Sequence, residues 1–228
     1  MTLAIDCEDL GFAYRAGREV LSLEPLRVER GERLFLHGPS GSGKTTLLSI
    51  IAGVLTPTQG SVRVLGQDLG ALSGAARDAF RGVHVGYLFQ LFNLIPYLSV
   101  VENITLPCRL HAARMQRLQG ESPEASAARI AERLEIGGLL MQPVTELSVG
   151  QQQRVAAARA LIGAPELIIA DEPTSALDAD LRDRFVELLF EQVKEAGSTL
   201  LFVSHDLSLG ARFDRVASLR ALNTVGRA

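Results

Sequence analysis

This sequence has few cysteines, no long apolar run and no excess of positive charge. Each of these features argues against a class of protein. The two cysteines, Cys7 and Cys108, lie far apart and form no cluster with metal-ligand spacing, so we expect free thiols in a reducing compartment. No apolar run approaches the roughly 20 residues that span a bilayer. The net charge of -3 argues against a general nucleic-acid binder.

The amino-terminal residues also lack the pattern of a secretory signal, because no basic stretch precedes an apolar one. With 228 residues, 47% hydrophobic and 21% charged, the chain suits one large domain or a core with a small insert. We therefore expect a cytoplasmic protein whose role at a membrane, if it has one, needs a partner that supplies the span.

The hydrophobic pattern changes along the chain. Residues up to about 90 are β-rich, with strands predicted at 3–7, 20–28, 33–37, 61–65 and 83–89. From about 91 to 160 the pattern is helical, although the polar stretch 114–121 predicts a mobile surface loop. Apolar runs at 167–170 and 199–203 then flank a predicted helix at 181–196, which is a βαβ rhythm and indicates a parallel α/β core.

Two helix starts are marked by capping residues. Ser99 precedes an apolar run and has Glu102 three residues later, which is the capping-box spacing. Ser122 is followed by Pro123, so it predicts an N-cap with proline at the first helical position.

The most informative stretch fits the phosphate-binding pattern G-x-x-x-x-G-K-[ST] between a predicted strand and a predicted helix. Glycines allow backbone N–H groups to converge on phosphate oxygens, and the helix start adds a partial positive charge. Lys44 can reach the β- and γ-phosphates, and the Thr45 hydroxyl can ligate Mg²⁺. The candidate nucleotide-binding residues here are Gly38, Pro39, Ser40, Gly41, Ser42, Gly43, Lys44, Thr45 and Thr46.

A second motif places Asp171 and Glu172 directly after the apolar run 167–170. Carboxylates at the carboxyl end of a parallel strand stand where ligands bind in open α/β folds. Asp171 is the candidate for holding Mg²⁺, and Glu172 is the candidate general base for the attacking water.

The segment Leu147-Ser148-Val149-Gly150-Gln151 completes the set, because with the two motifs above it resembles the L-S-G-G-Q signature of ATP-binding-cassette (ABC) ATPases. The resemblance covers essentially the whole chain. It also assigns Gln90 to the Q-loop, Ser175 to Asp178 to the D-loop, His205 to the switch histidine and Tyr14 to the aromatic residue that stacks on adenine.

The resemblance implies a P-loop NTPase core with a mostly parallel sheet, an N-terminal antiparallel β subdomain and an inserted α-helical subdomain. The core would comprise residues 1–90 and 161–228, and the helical subdomain 91–160. It also implies a fold that binds ATP with Mg²⁺, the metal being held by Thr45, Gln90 and Asp171.

The resemblance further implies partners. Ser148, Gly150 and Gln151 would meet the ATP of a second copy, so that two chains enclose two nucleotides. Lys44, Glu172 and His205 would act in hydrolysis. A separate membrane permease would dock on the helical region near residues 91–98, and no nucleic acid is expected. At branch level the chain looks most like the lipoprotein-releasing and macrolide-export cassettes.

Two departures from the family pattern stand out. Val149 replaces the commoner glycine, and a β-branched residue disfavours a positive φ. The tail, residues 217–228, lacks a recognisable final glycine turn and strand.

Two other function classes fit the sequence less well. A soluble cassette acting on ribosomes or DNA usually has paired cassettes, coiled-coil inserts or basic arms, and none is present in this sequence. A P-loop kinase or GTPase has no role for the Ser148 segment or for His205. In the family that the sequence resembles, the pocket that selects the substrate lies in another chain.

Overall fold

The computed structural model describes residues 2–15 and 17–225. Its strands are β1 (Leu3–Arg15), β2 (Arg18–Leu23), β3 (Leu26–Glu29), β4 (Arg33–His37), β5 (Gln59–Val64), β6 (Gln67–Asp68), β7 (Val85–Leu88), β8 (Leu167–Asp171), β9 (Thr199–Val203) and β10 (Arg215–Ser218). Its α-helices are α1 (Lys44–Ile51), α2 (Gly74–His84), α3 (Val100–Leu110), α4 (Ala112–Gln116), α5 (Pro123–Arg133), α6 (Val149–Leu161), α7 (Ala179–Ala196) and α8 (Leu219–Leu222). Short 3₁₀ helices lie at Gly137–Leu139, Val144–Glu146 and Leu207–Arg212.

Two compact units divide the chain. The first unit contains the described residues of 1–81 and 199–228, and the second unit contains residues 82–198. In the second unit, α6 packs against β7 and α7 as well as against α3 and α5, so strand and helix residues share one unit there. The separate helical subdomain at 91–160 stays a prediction.

The first unit combines an antiparallel sheet with parallel strands. Strand β1 pairs with β2 and β3 along one edge and with β5 along the other, all antiparallel. Strand β4 pairs in parallel with β9 on one side and β10 on the other. All five residues of β9 are buried, which fits a strand covered on both faces. The predicted α/β class, with parallel and antiparallel sheets, is confirmed.

The second unit places the parallel pair β7 and β8 beside a group of helices. Both predicted caps are confirmed: the Ser99 hydroxyl accepts from the Glu102 N–H at 3.3 Å, and the Glu102 carboxylate accepts from the Ser99 N–H at 2.8 Å. Ser122 accepts from the Ala125 N–H at 3.1 Å, with Pro123 in the first helical turn. Local side-chain chemistry therefore set these helix starts.

Three predicted elements were wrong. Residues 20–28 form two strands, β2 and β3, because Pro25 between them has no N–H for a continuous ladder. Helix α2 interrupts the stretch that was predicted to be β-rich. The stretch 114–121 begins inside helix α4 instead of forming a surface loop throughout, and Arg114 is only 2% exposed.

Arg114 holds the second unit together through backbone carbonyls. Its guanidinium donates to the carbonyls of Gly82 at 3.0 Å, Val85 at 2.6 Å and Ile162 at 2.7 Å, and to that of Ala160 at 3.4 Å. Burial lowers the pKa of Arg114 to about 10, which leaves the side chain charged at neutral pH. A single cation thus joins the start of β7 to the end of α6.

Substitution Arg114→Ala should lower the free energy of unfolding by about 3 kcal/mol, because it removes the donor from several buried carbonyls. Urea unfolding followed by circular dichroism measures the change. Arg109→Ala is the control: Arg109 is half-exposed and pairs with Glu124 at 3.6 Å, so its loss should cost under about 0.5 kcal/mol. Equal losses for the two variants would contradict the role given to Arg114.

Candidate nucleotide-binding site

The phosphate-binding loop of the first unit joins the end of β4 to the start of α1. Gly41 and Gly43 adopt φ values of 78° and 95°, which residues with a side chain rarely adopt. A Cβ built on Gly43 would lie 2.6 Å from Leu21 Cδ2, so the position also lacks room for one. The loop therefore has the backbone conformation that the glycines of the sequence motif predict.

Lys44 reaches back over this loop from the first position of α1. Its side chain is buried, and Nζ donates to the carbonyls of Gly38 at 2.8 Å and Pro39 at 3.2 Å. Gly43, the N-cap residue, has no side chain that could occupy the N–H groups of the first turn. The helix start thus presents backbone donors, a positive dipole end and an ammonium group to one loop.

Tyr14 lies at the end of β1 and contacts the same helix start. Its hydroxyl is 3.2 Å from Thr46 Oγ1, and its ring meets Phe12 edge-on with centroids 4.9 Å apart. The side chain is 62% exposed, so one ring face is available for stacking. An exposed aromatic residue beside a phosphate-binding loop suits the base of a nucleotide.

His205 shares a sheet edge with the loop. Strands β4 and β9 run parallel with Leu36 opposite Val203, so the residues that follow each strand emerge at the same edge. The N–H of Ser204 donates to the Leu36 carbonyl at 3.3 Å, and the Ser204 hydroxyl accepts from the Asp206 N–H at 3.1 Å. These bonds fix the backbone on both sides of His205, whose side chain is exposed.

In the second unit, the parallel pairing of β7 and β8 brings Gln90 and the two carboxylates to one edge. Leu88 pairs with Ala170, so Gln90 follows β7 where Asp171 ends β8. Asp171 is buried. The burial of Tyr87 itself, and then the negative charge of Asp171, raise the pKa of Tyr87 well above its ordinary value. Amide and carboxylate oxygens at one edge are ligands that Mg²⁺ accepts.

Glu172 has an unusual backbone conformation. Its φ of 44° lies in the left-handed region, which costs a residue with a side chain on the order of 1 kcal/mol or more. The Glu172 carbonyl accepts from the Ser175 N–H at 3.2 Å in the turn that follows. Strain of this kind concentrates at functional positions, which agrees with the role predicted for Glu172.

The signature segment opens helix α6 with a complete capping box. Ser148 Oγ accepts from the Gln151 N–H at 3.3 Å, and Gln151 Oε1 accepts from the Ser148 N–H at 2.9 Å. Val149 is the first helical residue, and its φ is not positive. Its β-branched side chain therefore fits the local backbone. Gly150 follows within the first turn, and the helix start presents its positive dipole end at this segment.

The sequence patterns did not predict a role for Arg159. It lies on α6, and its guanidinium donates to the carbonyls of Phe92 at 2.6 Å and Asn93 at 2.7 Å. Both of those residues have positive φ, at 59° and 50°. Arg159 thus fastens the chain that follows Gln90 to the helix that carries Ser148, and an arginine inside a helix gives no hint of this in the sequence.

Comparisons with known proteins decide the family. The family model described as "ABC transporter" matches residues 24–175. The chain belongs to the ABC transporter ATPase family. This ABC ATPase is therefore the ATP-hydrolysing subunit of a transporter.

The relatives of this ABC ATPase agree in size as well as in sequence. An uncharacterized ABC transporter ATP-binding protein of Escherichia coli K12, YbbA, is 44% identical over 203 residues, which cover 88% of this chain and 86% of the relative. The lipoprotein-releasing system ATP-binding protein LolD of Pseudomonas fluorescens is 37% identical, over 95% of this chain and 94% of its own. A dimeric ATP-binding cassette, MJ0796, bound to ADP and Pi superposes with a TM-score of 0.82 at 31% identity, over 96% of this chain and 94% of its own.

Substitution Lys44→Ala should abolish most ATP binding, with a dissociation constant raised at least about a hundredfold, because it removes the buried ammonium from the loop. Isothermal titration calorimetry with ATP and Mg²⁺ measures the affinity. Lys194→Ala is the matched control, since Lys194 is exposed in the last turn of α7. Unchanged affinity in the Lys44 variant would remove Lys44 from the site.

Proposed function

We propose that this ABC ATPase binds ATP with Mg²⁺ between two copies of itself and drives a separate membrane permease from the cytoplasmic face. The observation that carries the proposal is the pair of helix starts in one chain. α1 follows the glycine loop with Lys44, and α6 opens at Ser148, so each chain offers two anion-binding ends. The dimeric state of the cassette bound to ADP and Pi supports a second copy as partner.

The proposed roles follow from chemistry and position. Lys44 and the loop amides neutralise phosphate charge, and Tyr14 stacks on the adenine. Glu172 orients the attacking water as general base, and His205 hydrogen-bonds the γ-phosphate. Phosphoryl transfer depends mostly on positioning and electrostatics, so these fixed groups supply much of the reduction in the barrier.

In the second unit, the chemistry of the donors proposed for Mg²⁺ suits the ion. The amide oxygen of Gln90 and the carboxylate of Asp171 are hard oxygen ligands of the kind that it prefers. The Thr45 hydroxyl of the first unit stays a predicted ligand. When bound, the ion neutralises charge on the β- and γ-phosphates. Within residues 2–15 and 17–225, no group of three or more histidine, cysteine or acidic side chains is placed so that it could hold a metal ion.

The permease contact is proposed for the apolar surface of the second unit. Leu91, Tyr97 and Met141 are 83%, 84% and 81% exposed. The segment around Met141 is tied to α3, since the N–H groups of Val100 and Val101 donate to the carbonyls of Gln142 and Leu140. Exposed apolar side chains on a fixed backbone suit a protein contact. Within the part of the chain that the structure describes, no helix has both the length and the apolar character needed to cross a bilayer.

The substrate class is proposed from the relatives. The match to LolD, the ATP-binding protein of a lipoprotein-releasing system, covers 94% of the length of LolD. This relative favours export or extraction of lipids, lipoproteins, peptides or drugs. Action on ribosomes or DNA stays the alternative. Purification from membranes separates the two: a stable partner with several membrane spans supports the transporter, whereas ribosomes or DNA support the alternative.

Substitution Glu172→Gln should keep ATP binding, slow hydrolysis at least about a hundredfold and trap a dimer, because an amide cannot accept the proton of the attacking water. Light scattering with ATP and Mg²⁺ measures the mass, and phosphate release measures the rate. Glu124→Gln makes the same charge change at an exposed position of α5 and should leave both unchanged. A Glu172→Gln protein that stays monomeric with ATP would argue against the enclosed nucleotide.

Two capping serines provide a matched test of the signature helix. Ser148→Ala and Ser122→Ala each remove an N-cap hydroxyl in the second unit, so each should lower the free energy of unfolding by about 1 kcal/mol. Only Ser148→Ala should also slow ATP hydrolysis, by about tenfold, because its hydroxyl is proposed to meet phosphate. Similar hydrolysis rates in the two variants would reduce Ser148 to a helix cap.

A further inference from the structure

The chain after β10 returns to the nucleotide-binding side of the first unit. The N–H of Glu24 donates to the Leu222 carbonyl at 2.9 Å, and the N–H of Thr224 donates to the Ser22 carbonyl at 2.8 Å. Between these two hydrogen bonds, Leu23 and Asn223 form an isolated antiparallel bridge. The segment 222–224 thus pairs with the end of β2.

The Asn223 side chain uses both ends of its amide. Its Oδ1 accepts from the Ser22 N–H at 3.0 Å, and its Nδ2 donates to the carbonyls of Val20 at 3.0 Å and Ser42 at 3.3 Å. Ser42 belongs to the phosphate-binding loop. One half-buried amide therefore joins the tail, strand β2 and the loop.

Residues just before this segment also pack against the phosphate-binding loop. Leu219 is fully buried, and a Cβ built on Gly38 would lie 3.4 Å from Leu219 Cβ. A cavity of about 500 Å³ is lined by loop residues 39–42 together with Arg220 and Asn223. The tail is thus part of the wall against which the loop is formed.

We propose that Asn223 is a positioning residue of the nucleotide site, acting through the peptide between Ser42 and Gly43. The Ser42 carbonyl and the Gly43 N–H belong to one planar trans peptide and point in opposite directions. By holding the carbonyl, Asn223 directs the Gly43 N–H away from the tail and fixes it as a phosphate donor. The inference rests on the proposed use of this loop for ATP.

The role of Asn223 depends on its donor end. In the variant Asn223→Asp the carboxylate can still accept from the Ser22 N–H, but it has no N–H for the carbonyls of Val20 and Ser42. The Ser42 carbonyl then loses the hydrogen bond from residue 223, whereas the size of the side chain at position 223 is unchanged. A matched change in the same segment is Thr224→Val, which removes the hydroxyl bonds to the Ser22 carbonyl at 2.9 Å and to Ser22 Oγ at 2.8 Å without touching the loop.

The test uses the intact chain with ATP and Mg²⁺. Asn223→Asp should raise the dissociation constant and the KM for ATP about tenfold, with kcat at saturating ATP changed less than about twofold. Thr224→Val should leave the dissociation constant within about twofold. Thermal unfolding of each variant reports the stability, and Asn223→Ala, which also lacks the donor, replaces the aspartate variant if that protein does not fold.

The outcomes distinguish the positioning role of Asn223 from the nucleotide site itself. Unchanged ATP affinity in Asn223→Asp, alongside lost affinity in Lys44→Ala, would overturn the positioning role alone. An equal rise in KM for Asn223→Asp and Thr224→Val would show that the tail only supports the fold, which also overturns it. No measurable ATP binding by the unsubstituted chain would instead overturn the nucleotide site on which the inference rests.

Discussion

The turn from β4 into α1 is the constraint on which the rest of the site depends. Gly41 and Gly43 hold left-handed backbone conformations, and Lys44 folds back onto the carbonyls of Gly38 and Pro39. Such a loop has little packing of its own, so its shape has to be imposed by what surrounds it. In the first unit that surrounding consists of Leu21 beneath Gly43 and the returning tail, which reaches the loop through Asn223. The backbone conformation of the loop therefore defines the phosphate-binding site more than its side chains do.

Parallel strand pairing collects the remaining groups. In the first unit the pairing of β4 with β9 delivers the loop and His205 to one edge, and in the second unit the pairing of β7 with β8 delivers Gln90 and Asp171 to another. Each pairing has this effect because parallel strands end at the same edge of a sheet, so residues far apart in sequence become neighbours. Glu172 adds local strain at such an edge, since its φ is positive.

The second unit relies on arginine side chains that bond to backbone carbonyls. Arg114 satisfies carbonyls at the start of β7 and the end of α6, and Arg159 satisfies two carbonyls in the left-handed turn after Gln90. A guanidinium has five donors in a planar fork, so one buried side chain can bond to several chain segments at once. These contacts hold the signature helix α6 against the segment that carries Gln90. The bonds of Arg114 also account for its burial within a stretch rich in polar residues.

The sequence by itself determined what is written locally: the glycine loop, the carboxylates after an apolar run, the capping serines and the α/β class all depend on residues close together in the chain. The assigned roles of the site residues stay predictions. Tertiary structure alone decided the burial of Arg114 and the hydrogen bonds made by Arg159 and Asn223. The physical reason is that these side chains bond to backbone carbonyls of distant segments. Every residue has a carbonyl, so such an acceptor leaves no mark in the amino-acid sequence.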